Sequence, residues 1–331
     1  MTKLTETMIA SFAQAEWESF DLREIALDES KAMEALADDL CRAFTDLNSG
    51  VTRQKRHERF AVPETTPEDY SERLIELGPE RHVICGIRHM NLNPKHPFIQ
   101  LQANFALSGT EEIQCIFSRI EAHFSVFDPM YVAVNAPRPI GSTVAQVHLV
   151  QRAGVIQAMP PWPTEAVVEI RQVTNQSYFE AYQGAYARFH QHHPELTELV
   201  PVNQLDLMEA SREAGLLHAM HVDGQQAGLI AAAKSDFLGL PGLYFNELVI
   251  WEPHIGKGYA KALQRKFILE CASPETIVWG TIHARNVPSS KTALANKRRP
   301  IRYESFVPTK AGIPSSSGPP FSPATETPGP A

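Results

Sequence analysis

The spacing of apolar and polar residues divides the first half of the chain into helices followed by strands. Helical spacing predicts helices over about 29–46 and 67–77. Apolar runs of strand type follow in RHVICGIRHM and PFIQLQANFAL. A further helix is expected over TEEIQCIFSRIEAHFSVF, after which MYVAVNAP predicts another strand.

The second half repeats this order of elements. The strand AVVEIRQV precedes predicted helices over 176–192 and about 203–214. The segment GLLHAMHVDGQQAGLIAAAKSD predicts a hairpin, because Asp223-Gly224 is a strong two-residue turn signal. The remaining predicted elements are the strand GLYFNELVIW, a helix over Tyr259–Cys271, the strand ETIVWGTIHA, the short helix PSSKTALAN and the strand IRYESFVP. The pattern predicts an α/β fold with mixed sheets.

Two shifts in composition indicate the domain boundaries. Proline-rich residues 159–165 favour a linker, since MPPWP has few routes into a helix or a central strand. The linker would separate residues 1–158 from residues 166–308, and the shared element order predicts two tandem copies of one fold. Residues 309–331 are rich in Pro and Ser and predict a disordered tail.

Overall composition excludes several classes of protein. The chain has 331 residues, 43% of them hydrophobic, and a formal net charge of -8. This negative charge argues against general nucleic-acid binding, which needs a basic surface. The sequence contains no run of about 18 apolar residues, so no membrane span is predicted. The first residues, MTKLTETMIASFAQAEW, lack the basic start and apolar core of a secretory signal. We therefore expect a cytoplasmic protein.

The cysteines predict no metal site. Cys41, Cys85, Cys115 and Cys271 are scattered singly, without a CxxC pair. In a protein that is not exported, this spacing favours free thiols over disulfides or zinc ligands.

The stretch NELVIWEPHIGKGYAKALQRKFILE changes from strand to helix around Gly256-Lys257-Gly258. Small residues at such a junction let a backbone approach an anion, and the helix N-terminus points unpaired N–H groups at it. The nucleotide-binding pattern GxxxxGK[ST] is absent. The dinucleotide pattern GxGxxG lacks its third glycine in this loop, and a hairpin rather than βαβ units precedes the loop.

The segment EPHIGKGYAKALQRKFI resembles motif A of the Gcn5-related N-acetyltransferases, the GNAT superfamily. In that pattern Gly258 is the first motif glycine and Ala260 the Gly/Ala position, while Ile255 stands where the family has Arg or Gln. The resemblance implies an acyl-CoA N-acyltransferase fold with acetyl-CoA as co-substrate. It assigns the pyrophosphate to Ile255, Gly256, Lys257, Gly258, Tyr259 and Ala260, and the pantetheine arm to the backbone of Leu248, Val249 and Ile250.

A weaker resemblance to motif B follows in GTIHARNVPSSKTALANKRRP. Asn286 occupies the family's Asn position and would contact the coenzyme. The short helix has no tyrosine to protonate the departing thiolate. Ser289, Ser290 and Thr292 stand there instead, and we take Ser290 as the candidate donor. The basic cluster Lys297–Arg302 would either meet the 3′-phosphate of the coenzyme or form a solvated loop.

Glu247 is the acid within the strand before the loop, similar in position to the general base of many family members. Strand alternation predicts that it shares a face with Phe245 and Val249. The resulting hypothesis is an N-acetyltransferase that acts on a primary amine of a small molecule or protein. The alternative is a non-catalytic acyl-CoA binder.

In the first half, Glu111 and Glu112 would repel a pyrophosphate, so that half is expected to bind no coenzyme.

Overall fold

The computed structural model describes residues 3–25, 27–197 and 200–310, which form two compact units. The first unit extends to Val147 and resumes at Ile301, and the second spans His148–Pro300. The units thus divide at other residues than the predicted boundaries, and a tandem duplication stays a prediction. Most of the predicted tail, from residue 311 on, lies outside the described residues.

Helices and strands, each numbered in chain order, make up most of the described residues. The helices are α1 (Glu6–Glu18), α2 (Glu29–Leu47), α3 (Gly50–Phe60), α4 (Thr110–Ile120), α5 (Ala153–Gln157), α6 (Tyr178–His192), α7 (Leu205–Glu213), α8 (Tyr259–Cys271) and α9 (Val287–Ala295). The strands are β1 (Arg73–Gly78), β2 (Arg81–His89), β3 (Pro97–Ala103), β4 (Tyr131–Ala136), β5 (Val144–Arg152), β6 (Val168–Gln172), β7 (Leu217–Val222), β8 (Gln225–Lys234), β9 (Gly242–Ile250), β10 (Ile277–His283) and β11 (Arg299–Pro308).

The first unit contains a mixed sheet in the order β1-β2-β3-β4-β11. Neighbouring strands are antiparallel, except for the parallel pair β3 and β4. Helix α4 covers one face and buries Ile113, Ile116 and Ile120 against the sheet. On the other face, Phe12 of α1 and Leu40 of α2 pack on Ile84 of β2.

The second unit contains a mixed sheet in the order β5-β10-β9-β8-β7-β6, to which β5 contributes from His148 on. From β6 to β9 each strand is antiparallel to its neighbour, and β9 and β10 are parallel. Helix α8 buries Leu263 and Phe267 on one face. Tyrosines of α6 pack with Met208 of α7 on the opposite face. The predicted mixed α/β fold is confirmed.

One predicted helix is wrong. Residues 67–77 form a 3₁₀ turn, Pro67–Tyr70, and then most of β1. The apolar spacing there is compatible with a helix. However, Leu74 pairs across a hairpin with Ile84, so the backbone hydrogen bonds of this segment are made with β2.

Among the described residues, no helix is long and apolar enough to cross a membrane.

Candidate functional site

The parallel strands β9 and β10 pair only at their beginnings. Their register joins Gly242–Tyr244 to Ile277–Trp279, yet β9 continues to Ile250 and β10 to His283. The two strands therefore part beyond Tyr244. This opening, called the β9–β10 split below, leaves one side of the β9 backbone without a strand partner in the described register, so its N–H and C=O groups can bind an elongated ligand.

A β-bulge lies at Asn246, inside the split. On β8, Ala231 pairs with Glu247 and the next residue, Ala232, pairs with Phe245, so that Asn246 is an extra residue on β9. The bulge overturns the prediction that Phe245 and Glu247 share a face. The Phe245 ring lies 6.0 Å from that of Phe267 on α8, whereas Glu247 faces α6. Simple alternation fails because the extra residue resets it.

The glycine loop lies where β9 leads into α8. Gly256 and Gly258 both have φ +79, in the left-handed region that favours glycine. Gly258 is the N-cap of α8 and makes no side-chain cap, and the first turn contains no acid. A Cβ atom at Gly256 would meet nothing within 4 Å. The loop thus presents uncapped backbone N–H groups to an open space, as an anion site requires.

Cationic side chains flank this loop. Lys257 and Ile255 are exposed, whereas Tyr259 and Ala260 are half-buried in the first turn of α8. The Lys261 ammonium lies 4.0 Å from the centre of the Trp162 ring. This cation–π contact holds a positive charge beside Gly258.

The predicted linker packs within the second unit and supports the loop. The Thr164 hydroxyl donates to the Gly258 carbonyl at 3.3 Å. Buried Arg265 of α8 forms an ion pair with Glu165 at 2.8 Å and also donates to the Met159 carbonyl. Proline composition did not reveal these contacts, because they depend on side chains that are distant in sequence.

Glu247 lies in a closed network of hydrogen bonds and is only 7% exposed. Tyr182 and Tyr186 of α6 donate their hydroxyls to its carboxylate. The Asn203 amide donates to Oε2 at 3.2 Å, and the Leu248 N–H donates to Oε1 at 2.9 Å. Burial raises the pKa of Glu247, and these hydrogen bonds act in the opposite direction.

Four donors match the roughly four lone pairs of a carboxylate. A reacting amine or water would therefore exchange protons with Glu247 through a tyrosine hydroxyl or by displacing a donor. The N–H of Leu248, a predicted pantetheine contact, is already bonded to Glu247. Val249 and Ile250, the other two predicted pantetheine contacts, are half-buried residues of β9.

The predicted motif B residues have local roles in α9. The Asn286 side chain caps the helix by accepting from the Ser289 N–H at 3.3 Å. Ser290 is half-buried, and its N–H donates to the Asn286 carbonyl at 3.1 Å. Within the described residues, no hydrogen bond joins the Ser290 side chain to Glu247 or to the glycine loop. Its role as a proton donor stays a prediction.

The basic cluster Lys297–Arg302 is not a solvated loop. Arg298 is only 2% exposed, and its guanidinium donates to the carbonyls of Leu149 and Gly280 at 3.0 and 3.4 Å. It also lies 5.0 Å from the centre of the Phe245 ring, near the split. Burial lowers the pKa of Arg298 to about 10.

Sequence reasoning missed several residues of this site. Tyr178, Tyr182 and Tyr186 recur every four residues along α6, a spacing that indicates one aromatic face and was a usable signal. The Tyr244 and Thr281 hydroxyls, 2.8 Å apart, join β9 to β10 close to where these strands part. That contact has no sequence signal, because it depends on the register of two strands.

No family model matches the chain, and no curated protein is similar to it in sequence. Similar solved structures include a GCN5-related N-acetyltransferase from Sphaerobacter thermophilus, with 12% identity, a TM-score of 0.43, and coverage of 83% of this chain and 95% of that chain. An acetyltransferase of the GNAT family from Colwellia psychrerythraea has 12% identity, a TM-score of 0.45, and coverage of 79% and 96%. Arabidopsis thaliana Naa50, in complex with the bisubstrate analogue CoA-Ac-MVNAL, has 15% identity, a TM-score of 0.30, and coverage of 42% and 96%. The chain is thus similar to GNAT structures, and the activities and ligands in these names belong to those proteins.

Proposed function

We propose that the second unit binds acyl-CoA, most simply acetyl-CoA, and transfers the acyl group to a primary amine. The supporting observation is the β9–β10 split followed directly by the uncapped N-terminus of α8 behind two left-handed glycines. A pyrophosphate suits the loop, where the Ile255–Ala260 backbone and the lysines would hold it. The predicted contacts of the pantetheine arm are Leu248, Val249 and Ile250. Because the Leu248 N–H is bonded to Glu247, Leu248 would offer the arm its carbonyl.

In the proposed reaction, the amine nitrogen attacks the thioester carbonyl carbon, the C–S bond breaks, and the thiolate leaves. An alkylamine has a pKa of about 10.4, so its deprotonation at pH 7 costs about 4–5 kcal/mol. Glu247 is the candidate base because burial raises its pKa. Its enclosure makes Tyr182 and Tyr186 the groups through which a proton would reach it. Ser290 remains the candidate donor to the thiolate, and Tyr244 offers a second hydroxyl near the split.

A second candidate function is acyl-CoA binding without catalysis. The filled lone pairs of Glu247 favour it, as do the Ile255 side chain at the Arg/Gln position and the lack of a tyrosine in α9. Release of free thiol from acetyl-CoA in the presence of a panel of primary amines separates the two functions. An enzyme releases thiol in proportion to the amine acylated, and a binder releases none.

Coenzyme binding is tested with two matched aspartate substitutions. Gly256 and Gly224 have φ of +79 and +76 and open space around a Cβ atom, so Gly256→Asp and Gly224→Asp carry similar backbone strain. Gly256→Asp places a carboxylate beside the proposed pyrophosphate, and we expect its calorimetric Kd for acetyl-CoA to rise about tenfold or more, the effect of one charged contact. Gly224→Asp lies in the β7–β8 turn and should bind like the wild type. Absence of binding by the wild type at millimolar acetyl-CoA would refute the proposal.

A further inference from the structure

The first unit contains a strand split of its own. The parallel register of β3 and β4 joins Phe98–Gln100 to Tyr131–Ala133, while β3 continues to Ala103 and β4 to Ala136. The start of the helix after β3 does not suit an anion, unlike the proposed site at α8. Glu112, in the first turn of α4, accepts from the Ser108 N–H at 2.7 Å and pairs with Arg81, so a carboxylate already occupies the helix start.

Three polar side chains lie in a row just beyond this split. Asn135 of β4 pairs directly with Glu304 of β11, which places their side chains on the same face. Gln102 lies two residues beyond Gln100 on β3, as Asn135 lies two residues beyond Ala133 on β4, so alternation puts Gln102 on that face too. All three members of this polar row are half-buried residues.

The oxygen acceptors of the polar row lack donors. The Asn135 Oδ1 atom is buried and has no hydrogen-bond partner in the described part of the chain. Among those same residues, no hydrogen bond or ion pair reaches the Glu304 carboxyl group. The Gln102 amide nitrogen donates to Glu16 Oε2 of α1 at 3.3 Å, which leaves the amide oxygen as a third acceptor. A buried acceptor without a partner is costly, so a hydrogen bond to Asn135 Oδ1 would be favourable.

A cluster of aromatic rings adjoins the row on the same face, in which Phe306 and Tyr131 are buried and Phe98 is half-buried. Phe306 lies two residues from Glu304 on β11, and its ring centre is 4.9 Å from that of Phe98 and 5.8 Å from that of Tyr131. The charged groups along the face are Arg302, which is 7% exposed, and Glu16, which binds the Arg302 guanidinium at 2.6 Å. Arg302 is thus paired with Glu16, whereas the Glu304 carboxyl group has no ion pair of its own among the described residues.

We propose that the polar row is a second binding site, which takes the ammonium group of a small primary amine. An ammonium group has three N–H donors and no acceptor, which suits the Asn135 and Glu304 oxygens and the Gln102 amide oxygen. The half-buried Phe98 ring suits an alkyl chain. Anions are disfavoured by Glu304, and a metal ion is disfavoured because the described residues contain no group of three His, Cys, Asp or Glu side chains placed to hold one. This inference does not depend on acyl transfer by the second unit.

The titration of Glu304 offers a readout specific to this site. Burial raises the pKa of its carboxyl group to about 7, against a lowering effect of Arg302. Near pH 7 the group is therefore partly protonated. An ammonium ligand requires the carboxylate form, so binding expels the proton.

The test is a calorimetric titration of the full chain with n-butylamine hydrochloride at pH 7, in two buffers that differ in ionisation enthalpy. We expect saturable binding with release of about half a proton per site, as a carboxyl group of pKa near 7 requires. Glu304→Gln should abolish the proton release and weaken binding about tenfold. The control is Glu76→Gln, at an exposed acid on β1 of the same unit, which should retain the proton release.

The pKa of Glu304 can also be measured in the wild-type chain, from the NMR signal of its carboxyl carbon. This measurement does not depend on whether a variant folds. Its titration midpoint should move to lower pH when n-butylamine is added. A midpoint that does not move, absence of amine binding, or equal proton release by Glu304→Gln would overturn the proposal.

Discussion

The hydroxyl group of Tyr186 lies 3.0 and 2.9 Å from the two carboxylate oxygens of Glu247. The contact joins α6 to the bulged strand β9 and leaves Glu247 inside a set of donors. It also connects the stability of the second unit to the protonation of the candidate base.

Glu247→Gln should lower turnover about 10²- to 10⁴-fold, the usual contribution of a general base. The Kd for acetyl-CoA should change little, because the glycine loop is left intact. Thiol release measures turnover and calorimetry measures binding. Glu169→Gln, an exposed acid on β6, is the control and should behave like the wild type. Unchanged turnover in Glu247→Gln would remove Glu247 from the mechanism.

Tyr186→Phe removes one donor from the buried carboxylate and should raise the pKa of Glu247 further. The acidic limb of the pH–turnover profile, where turnover rises as the base loses its proton, should then move to higher pH. The free energy of unfolding should fall by about 1–3 kcal/mol, the cost of a lost hydrogen bond to a buried group. Tyr178→Phe is the matched control on the same helix, since Tyr178 donates to Glu209 instead. It should destabilise the protein without moving the pH profile.

The sign of the pH dependence of stability follows from the raised pKa of Glu247. Between the ordinary glutamate pKa of about 4.3 and the folded value, the unfolded chain is ionised while folded Glu247 keeps its proton. The contribution of Glu247 to stability therefore declines as pH rises through this window. In Tyr186→Phe, urea titrations should show the decline extending to higher pH. A decline that ends at the wild-type pH would contradict the assigned role of Tyr186.

Lys261→Met should raise the Kd for acetyl-CoA about three- to tenfold and leave the fold unchanged. The lysine is held on Trp162 beside Gly258, and one charge near a phosphate contributes on the order of 1 kcal/mol. The loss should shrink at high salt because counterions screen the contact. Lys291→Met, an exposed lysine on α9, should leave the Kd unchanged. Equal Kd values for Lys261→Met and the wild type would place Lys261 outside the site.

His89→Phe should make the protein less sensitive to acid. Burial, with Arg56 and Arg88, lowers the pKa of His89 to about 4, and its ring stacks on Phe60 at 4.0 Å. Below the ordinary histidine pKa of about 6.5, the unfolded chain takes up a proton that folded His89 refuses, which costs about 1.4 kcal/mol per pH unit. In urea unfolding at pH 5 and pH 7, His89→Phe should lose less stability at pH 5 than the wild type does. The exposed His123→Phe should lose as much as the wild type.

Local signals in the sequence determined the strand-to-helix junction at Gly256 and Gly258, the bounds of α8, and the Asp223-Gly224 hairpin turn. Each depends on the backbone preferences of a few adjacent residues, which act in the same way wherever the segment lies. The residue type and strand position of Glu247 were also visible in the sequence.

Only the tertiary structure decided the surroundings of Glu247. The bulge at Asn246 comes from the register between β8 and β9, and it turned Phe245 to the opposite face. The enclosure of Glu247 needs α6 to dock its tyrosines on β9, and the burial of Arg298 needs carbonyls from β5 and β10. Pairing with β2 likewise turned part of the predicted helix over 67–77 into β1. These outcomes depend on contacts between residues far apart in the chain, whose free energies exceed local propensity and leave no periodic pattern in the sequence.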